Sequence, residues 1–212
     1  MQNDKSLVKA SVKWYNNLTL DSDRRRIMDA AKTKLIVITG PFGAGLKDIV
    51  AELLDSGKDF TTVTPVTARK MKDGEQNGIG FFFYDLEGWN AMKESGDLLE
   101  ATELAGNDYG TSRALVQAAL SGGKHVILML EPERAAQVKR NMPEAYCLYV
   151  EPADPTQLRA RYAKTARNSY ELTARMELAA EQRAESGYCD ARVDSTDLDA
   201  AVLEIRKLID RL

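Results

Sequence analysis

Histidine and cysteine are nearly absent from this 212-residue sequence, which has one histidine, His125, and two cysteines, Cys147 and Cys189. With no CxxC pair and no Cys/His cluster, no ligand set for a structural zinc stands out. Two thiols so far apart in sequence fit a reducing compartment better than a disulfide framework. Both read as ordinary buried or half-buried thiols. An excess of positive charge is missing too. Lys plus Arg number 29 against 32 Asp plus Glu, a formal net charge of −3, so no global field draws the chain to nucleic acid or an anionic membrane, and neither is expected as a partner. No apolar run approaches the length that spans a bilayer. The opening MQNDKSLVKASVKW lacks the apolar core of a signal peptide, so a cytoplasmic protein is expected. What is present, 44% hydrophobic and 29% charged residues, suits one globular unit with a substantial core.

Along the chain, residues 1–33 form a polar lead-in with a helical pattern. Its apolar face is Leu7, Val8, Val12, Tyr15 and Leu18, and its triplet Arg24 to Arg26 reads as a solvated helix face. Apolar runs then follow at 35–39 (LIVIT), 60–66 (FTTVTPV), 80–84 (GFFFY), 125–130 (HVILML) and 145–150 (AYCLYV). Helical patterns lie between several of them, including one long stretch from about 155 to 185 and a final one in DLDAAVLEIRKLIDRL. Strands alternating with helices predict a parallel sheet wrapped by helices. Residues 60–110 break that rhythm with short aromatic strands and glycine turns, and predict a mixed β lobe inserted between core elements. His125 opens a strand with no acid, serine or cysteine evident as a partner, and reads as a strand-edge residue; Trp14 and Trp89 read as packing residues.

The stretch GPFGAGLKD, 40–48, sits where the first strand should turn into a helix. A phosphate-binding loop, GxxxxGK[ST], belongs at such a junction: backbone amides cradle phosphates, the lysine reaches their outer oxygens and the hydroxyl holds magnesium. Gly40, Gly43 and Gly45 are in place for the amide cradle. Leu46 stands at the lysine position, Lys47 at the hydroxyl position, and Asp48 follows. A side chain one residue further along a helix is turned by about 100°, so Lys47 is expected to point away from the cradle.

Three further segments carry a resemblance: TARKMKDGEQNG (67–78), GDLLEATELAGNDYGTS (96–112) and SGGKHVILMLEPERAAQV (121–138). Together they resemble the guanylate kinases, whose pattern runs TTRxPRxGExxG, then a glutamate before GNxYGTS, then a strand ending in DxDxQGAxxV. The loop, GPxGxG, is that family's variant, and the likeness extends over residues 34–212. It implies a nucleoside-monophosphate-kinase-type three-layer α/β fold: a parallel core sheet flanked by helices, an inserted mixed β GMP-binding lobe at about 65–110, and a helical lid at about 158–175. It also implies transfer of the γ-phosphoryl group of ATP to GMP with magnesium.

Residue by residue, the resemblance makes Arg69 and Lys72 the acceptor-phosphate cations and Glu100 the carboxylate that accepts from guanine's ring N–H and amino group. Tyr109 and Thr111 become contacts to phosphate and base, and Glu131 the second carboxylate of DxD. Without the resemblance, Glu100 reads as a solvated edge, and Gly110 and Thr111 as turn residues. Pro65 and Phe81 stand where the family has a serine and a tyrosine, deleting two hydroxyls. Each bond from such a hydroxyl to charged phosphate contributes ~1.5–3 kcal/mol. On the ATP side the loop lysine is lost and Met129 replaces the first aspartate of DxD. Arg159, Arg161 and Arg167 remain in the lid without an RGRG turn, and Arg175 matches a lid-side arginine. No metal ligand set is expected; Mg2+ and ATP enter only if the chain is active.

Two functions lead, with an enzyme using another phosphate donor or acceptor as a third. The first is a weakly active or inactive homologue that binds GMP or a phosphorylated ligand, with a protein partner as a further option, because scaffold-type guanylate-kinase-like domains share proline at this position. The second is an active guanylate kinase in which Lys47 or Lys34, with Arg159, Arg161 and Arg175, replaces the missing cation.

Overall fold

The protein is described here from a computed structural model covering residues 33–55 and 59–212. The lead-in face, Trp14 and the arginine triplet lie outside the described residues. In chain order the first elements are β1 (Leu35–Thr39), α1 (Leu46–Asp55), β2 (Phe60–Thr61), β3 (Val66–Thr67), β4 (Phe82–Phe83) and α2 (Leu86–Glu94). Then come β5 (Leu98–Leu104), β6 (Asn107–Ser112), α3 (Arg113–Leu120), β7 (His125–Met129), α4 (Pro132–Asn141) and β8 (Tyr146–Glu151). The chain ends with α5 (Pro155–Ala163), α6 (Ser169–Glu185), a 3-10 turn (Ser186–Tyr188), β9 (Ala191–Asp194) and α7 (Leu198–Ile209).

The larger sheet is parallel throughout, in the order β2-β7-β1-β8-β9. β1 is its centre, which is why LIVIT is apolar at nearly every position instead of alternating with polar residues: all five residues are buried. Successive side chains point to opposite faces. Ile36 and Ile38 pack with Ile49 and Leu53 of α1 and Ile205 of α7. Leu35 and Val37 pack with Val116 of α3 and Val138 of α4. This is the expected arrangement, with helices on both sides of a parallel sheet.

The smaller sheet is mixed, in the order β4-β3-β6-β5, with β3 and β4 parallel and the other pairs antiparallel. Its own core is Val66, Trp89, Met92 and Leu98, with Trp89 only 2% exposed, a packing residue as expected. The run FTTVTPV is not one strand. Phe60–Thr61 pairs with β7 in the large sheet and Val66–Thr67 with β6 in the small one. The chain crosses between sheets there, and Pro65, with no N–H to donate, sits at the crossing. The long helical stretch is likewise divided: α5 ends, and α6 begins at a cap in which the Asn168 side chain accepts from the Glu171 N–H.

His125 is half-buried at the strand start, where Nδ1 accepts from the Lys34 N–H at 3.1 Å. Burial lowers its pKa below the ordinary histidine value. Cys147 on β8 is buried and Cys189 half-buried, both free, but their Sγ atoms lie 2.8 Å apart. Among the described residues no helix is long and apolar enough to cross a membrane.

Candidate functional site

The glycine loop lies at the C-terminal edge of the parallel sheet, the edge where open α/β sheets place their ligands. It emerges from β1 directly against β8. A Cβ on residue 40 would stand 2.0 Å from the Val150 carbonyl oxygen, so only glycine lets the loop pass. Gly43 and Gly45 then take positive φ, 79° and 88°, and α1 starts at Leu46.

Leu46 is half-buried and packs against the core of the large sheet. Lys47 is exposed, yet it lines the same cleft as the glycines, so the expectation that it turns fully away needs correction. Asp48 faces a smaller cavity on the other side of the loop. Phe42, 73% exposed, stacks on Tyr162 of α5 with centroids 6.3 Å apart. The Arg175 guanidinium lies 5.7 Å and 5.9 Å from those two ring centroids, and it also pairs with Glu171 at 2.6 Å. Arg161 donates to the Gly43 carbonyl at 2.9 Å and the Ser195 carbonyl at 3.3 Å, tying α5 onto the loop.

The cleft in front of the loop has a volume of about 840 Å³. Its lining brings together Gly40, Gly43, Gly45, Lys47, Glu131 and Arg175. Arg161 faces the smaller cavity, of about 420 Å³, and Arg159 is exposed and lines neither. Met129 is 42% exposed in the cleft, and Glu131 is exposed as the N-terminal cap residue of α4. Lys47 stands where the family pattern has a hydroxyl and Met129 where it has a carboxylate, while Glu131 and Glu133 also line the cleft. Among the described residues no group of three metal-ligating side chains occurs.

Glu100, which the resemblance makes the guanine-facing carboxylate, is buried. It is 1% exposed, not a solvated edge. A register irregularity in β5 between Leu98 and Glu100 accompanies three consecutive buried residues, which strand alternation alone would not give. Gly110 and Thr111 are not turn residues either but belong to β6. A Cβ at 110 would meet the Glu100 carbonyl oxygen at 2.7 Å, so glycine permits the strands to approach there. Thr111 Oγ1 donates to Glu100 Oε1 at 2.6 Å. Arg134, from the first turns of α4, donates from Nε to Oε2 at 2.6 Å and from Nη2 to Oε1 at 2.9 Å.

Arg69 is also paired internally, in a two-point contact with Glu75 at 2.7 Å and 2.6 Å. It lies 5.2 Å from the Phe81 ring and 5.0 Å from the Phe83 ring. Phe81, having no hydroxyl, offers Arg69 its ring face. The Arg69 guanidinium and then the Lys72 backbone N–H lower the Glu75 pKa to about 2. The Lys72 side chain is exposed, and Tyr109 packs its ring 5.6 Å from that of Phe81. Arg69, Lys72 and Tyr109 do not line the cleft. Arg134 and Glu75 are the two residues that motif matching passed over. Each had a signal: Arg134 stands at the glycine of DxDxQGA, and Glu75 is the glutamate of GExxG.

The profile of the family described as "Guanylate kinase" matches residues 32–212. Among similar proteins, the guanylate kinase of Parasynechococcus marenigrum is 35% identical over 176 residues, 82% of this chain and 97% of that protein. The guanylate kinase of Hahella chejuensis is 33% identical over 179 residues, 84% and 86% of the respective chains. The crystal structure of guanylate kinase from Anaplasma phagocytophilum superposes with a TM-score of 0.58 at 20% identity, over 84% of this chain and 85% of that one, a likeness of fold.

Proposed function

The chain belongs to the guanylate kinase family, and from that premise we propose that it binds a phosphorylated ligand, GMP or another phosphate monoester, with little or no phosphotransfer from ATP. The observation that carries this reading is Leu46. At the position of the loop's cation stands an apolar side chain packed on the sheet core, and losing one preorganised charge-stabilising donor slows catalysis by ~10²–10³. Further support comes from the absent oxygen ligands at Lys47 and Met129 and from Arg161, whose guanidinium is bonded to carbonyls instead of facing the cleft. On this reading the retained cleft binds and orients, while the charge needed to stabilise a transferring phosphoryl group is missing.

A second reading, an active guanylate kinase, draws on one feature: Lys47 and Arg175 line the same cleft as Gly40, Gly43 and Gly45. The relatives above carry the name guanylate kinase. The two readings separate in a GMP-dependent, magnesium-dependent ATP turnover assay run beside calorimetric titration of GMP and ATP. Measurable GMP binding, weaker ATP binding and turnover far below about 1 per second support the first. Turnover in the ordinary kinase range, about 1–100 per second, establishes the second and shows that a relocated cation does the lysine's work. A phosphorylated peptide, the protein-partner version of the first reading, is titrated in the same format.

A further inference from the structure

Glu100 is the buried carboxylate that the family pattern assigns to guanine, and here both of its oxygens are already used. Its side chain is 0% exposed, while that of Arg134 is 21% exposed. The guanidinium presents Nε–H and Nη2–H side by side at 2.6 Å and 2.9 Å. Guanine's Watson–Crick edge presents its ring N–H and 2-amino group in the same side-by-side arrangement. The Thr111 hydroxyl occupies Oε1 from the other direction. The two-point face of this carboxylate therefore has room for one fork, and the chain supplies it from its own α4. Arg134 also lines the 840 Å³ cleft, so it stands between that volume and Glu100.

We propose that Arg134 is the specificity-determining residue of the acceptor site: its guanidinium replaces the guanine edge on Glu100, so the site takes phosphate monoesters without selecting a guanine base. This rests on the reading of the cleft as a phosphate-monoester site. A guanine that reached Glu100 would have to displace an equivalent ionic two-point contact from a buried carboxylate, so the exchange leaves no net preference. A neutral base edge cannot outbid a charged one. Removing the guanidinium should return the preference that a two-point base contact gives, about 5- to 150-fold.

Arg134 is also one of three links between α4 and β5. Gln137 Oε1 accepts from the Ala101 N–H at 3.0 Å, and Asn141 Nδ2 donates to the Leu99 carbonyl at 2.9 Å. These two remain when Arg134 is replaced, so the helix keeps its register on the strand. A purely structural strut would alter stability and leave base preference unchanged.

The test is calorimetric titration of the full chain with GMP, IMP, AMP and ribose 5-phosphate, for wild type, Arg134→Gly and Arg134→Met. The methionine variant keeps an unbranched stem in case the glycine variant does not fold. The expected wild-type affinities for all four ligands lie within about threefold of one another. In the variants GMP should gain tenfold or more over AMP, with IMP, which lacks the 2-amino group, in between. Wild type preferring GMP over AMP tenfold overturns the proposal, and this ratio needs no variant. A folded variant with an unchanged GMP-to-AMP ratio also overturns it and leaves Arg134 a strut. Wild type binding none of the four while a variant binds GMP ends the phosphate-monoester reading and keeps the role of Arg134.

Discussion

The glycine loop and the small sheet differ from the guanylate kinase pattern in opposite ways. The loop keeps its backbone: Gly40 clears Val150, and Gly43 and Gly45 keep their positive φ. Its charged side chains are gone or moved, with Leu46 on the core and Met129 at a carboxylate position. The small sheet keeps charged side chains that are paired within the protein, Arg69 with Glu75 and Glu100 with Arg134 of α4. The first region differs in composition, the second in the availability of its charges. A residue-by-residue match detects the first kind of loss and misses the second, because a charge retained in sequence can be neutralised by a partner elsewhere in the chain.

The largest effect that sharpens this contrast is expected at Arg134. Arg134→Met leaves a buried carboxylate without its cation, a change that costs about 3–5 kcal/mol when a buried pair loses one member. Urea unfolding of wild type and variant measures it. Glu100→Leu should cost less, since the released guanidinium can reach water in the cleft. Equal losses would show that the carboxylate is not the buried, dependent partner.

Next comes the loop. Leu46→Lys with Lys47→Ser should raise ATP affinity by about tenfold or more, the worth of ~1.5–3 kcal/mol for a hydrogen bond to a charged group, because the amide cradle is in place. Turnover should stay low, since Met129 supplies no carboxylate. A magnesium-dependent ATP titration with a GMP kinase assay checks both halves. No gain in ATP affinity would mean that the loop has lost its cradle as well as its cation.

Arg161→Met should have a smaller consequence, about 1 kcal/mol or less in stability for contacts to two carbonyls at a half-exposed position. Amide exchange across α5 should quicken while that of β1 does not. The smallest effect concerns Glu75. Its folded pKa, about 2, lies below the ordinary carboxylate value, so its pairing with Arg69 stabilises the small sheet above that ordinary value. The contribution falls away as pH drops from about 4.5 toward 2. The difference in melting temperature between wild type and Glu75→Gln should be constant from pH 7 to 5 and shrink below. A difference that persists unchanged at pH 2.5 would place the stabilisation outside this pair.

The parallel sheet and the glycine loop were legible in the sequence because their signals are local. LIVIT followed by GPFGAG names a buried strand and a tight strand-to-helix turn within a dozen residues, and the missing cation at Leu46 is read at a fixed spacing from Gly45. The order of motifs identified the family for the same reason. Tertiary structure alone decided the state of the acceptor side. FTTVTPV looks like one strand until its two ends are seen to pair in different sheets. Glu100 is named by its motif, but its burial follows only when β5 turns it inward, and Arg134 becomes its partner only when α4 docks across 34 positions of sequence. Cys147 and Cys189, 42 positions apart, meet for the same reason. Local geometry is fixed by backbone sterics that each residue carries with it. The availability of a charge is fixed by which distant group shares its low-dielectric surroundings, and that is a property of the folded chain.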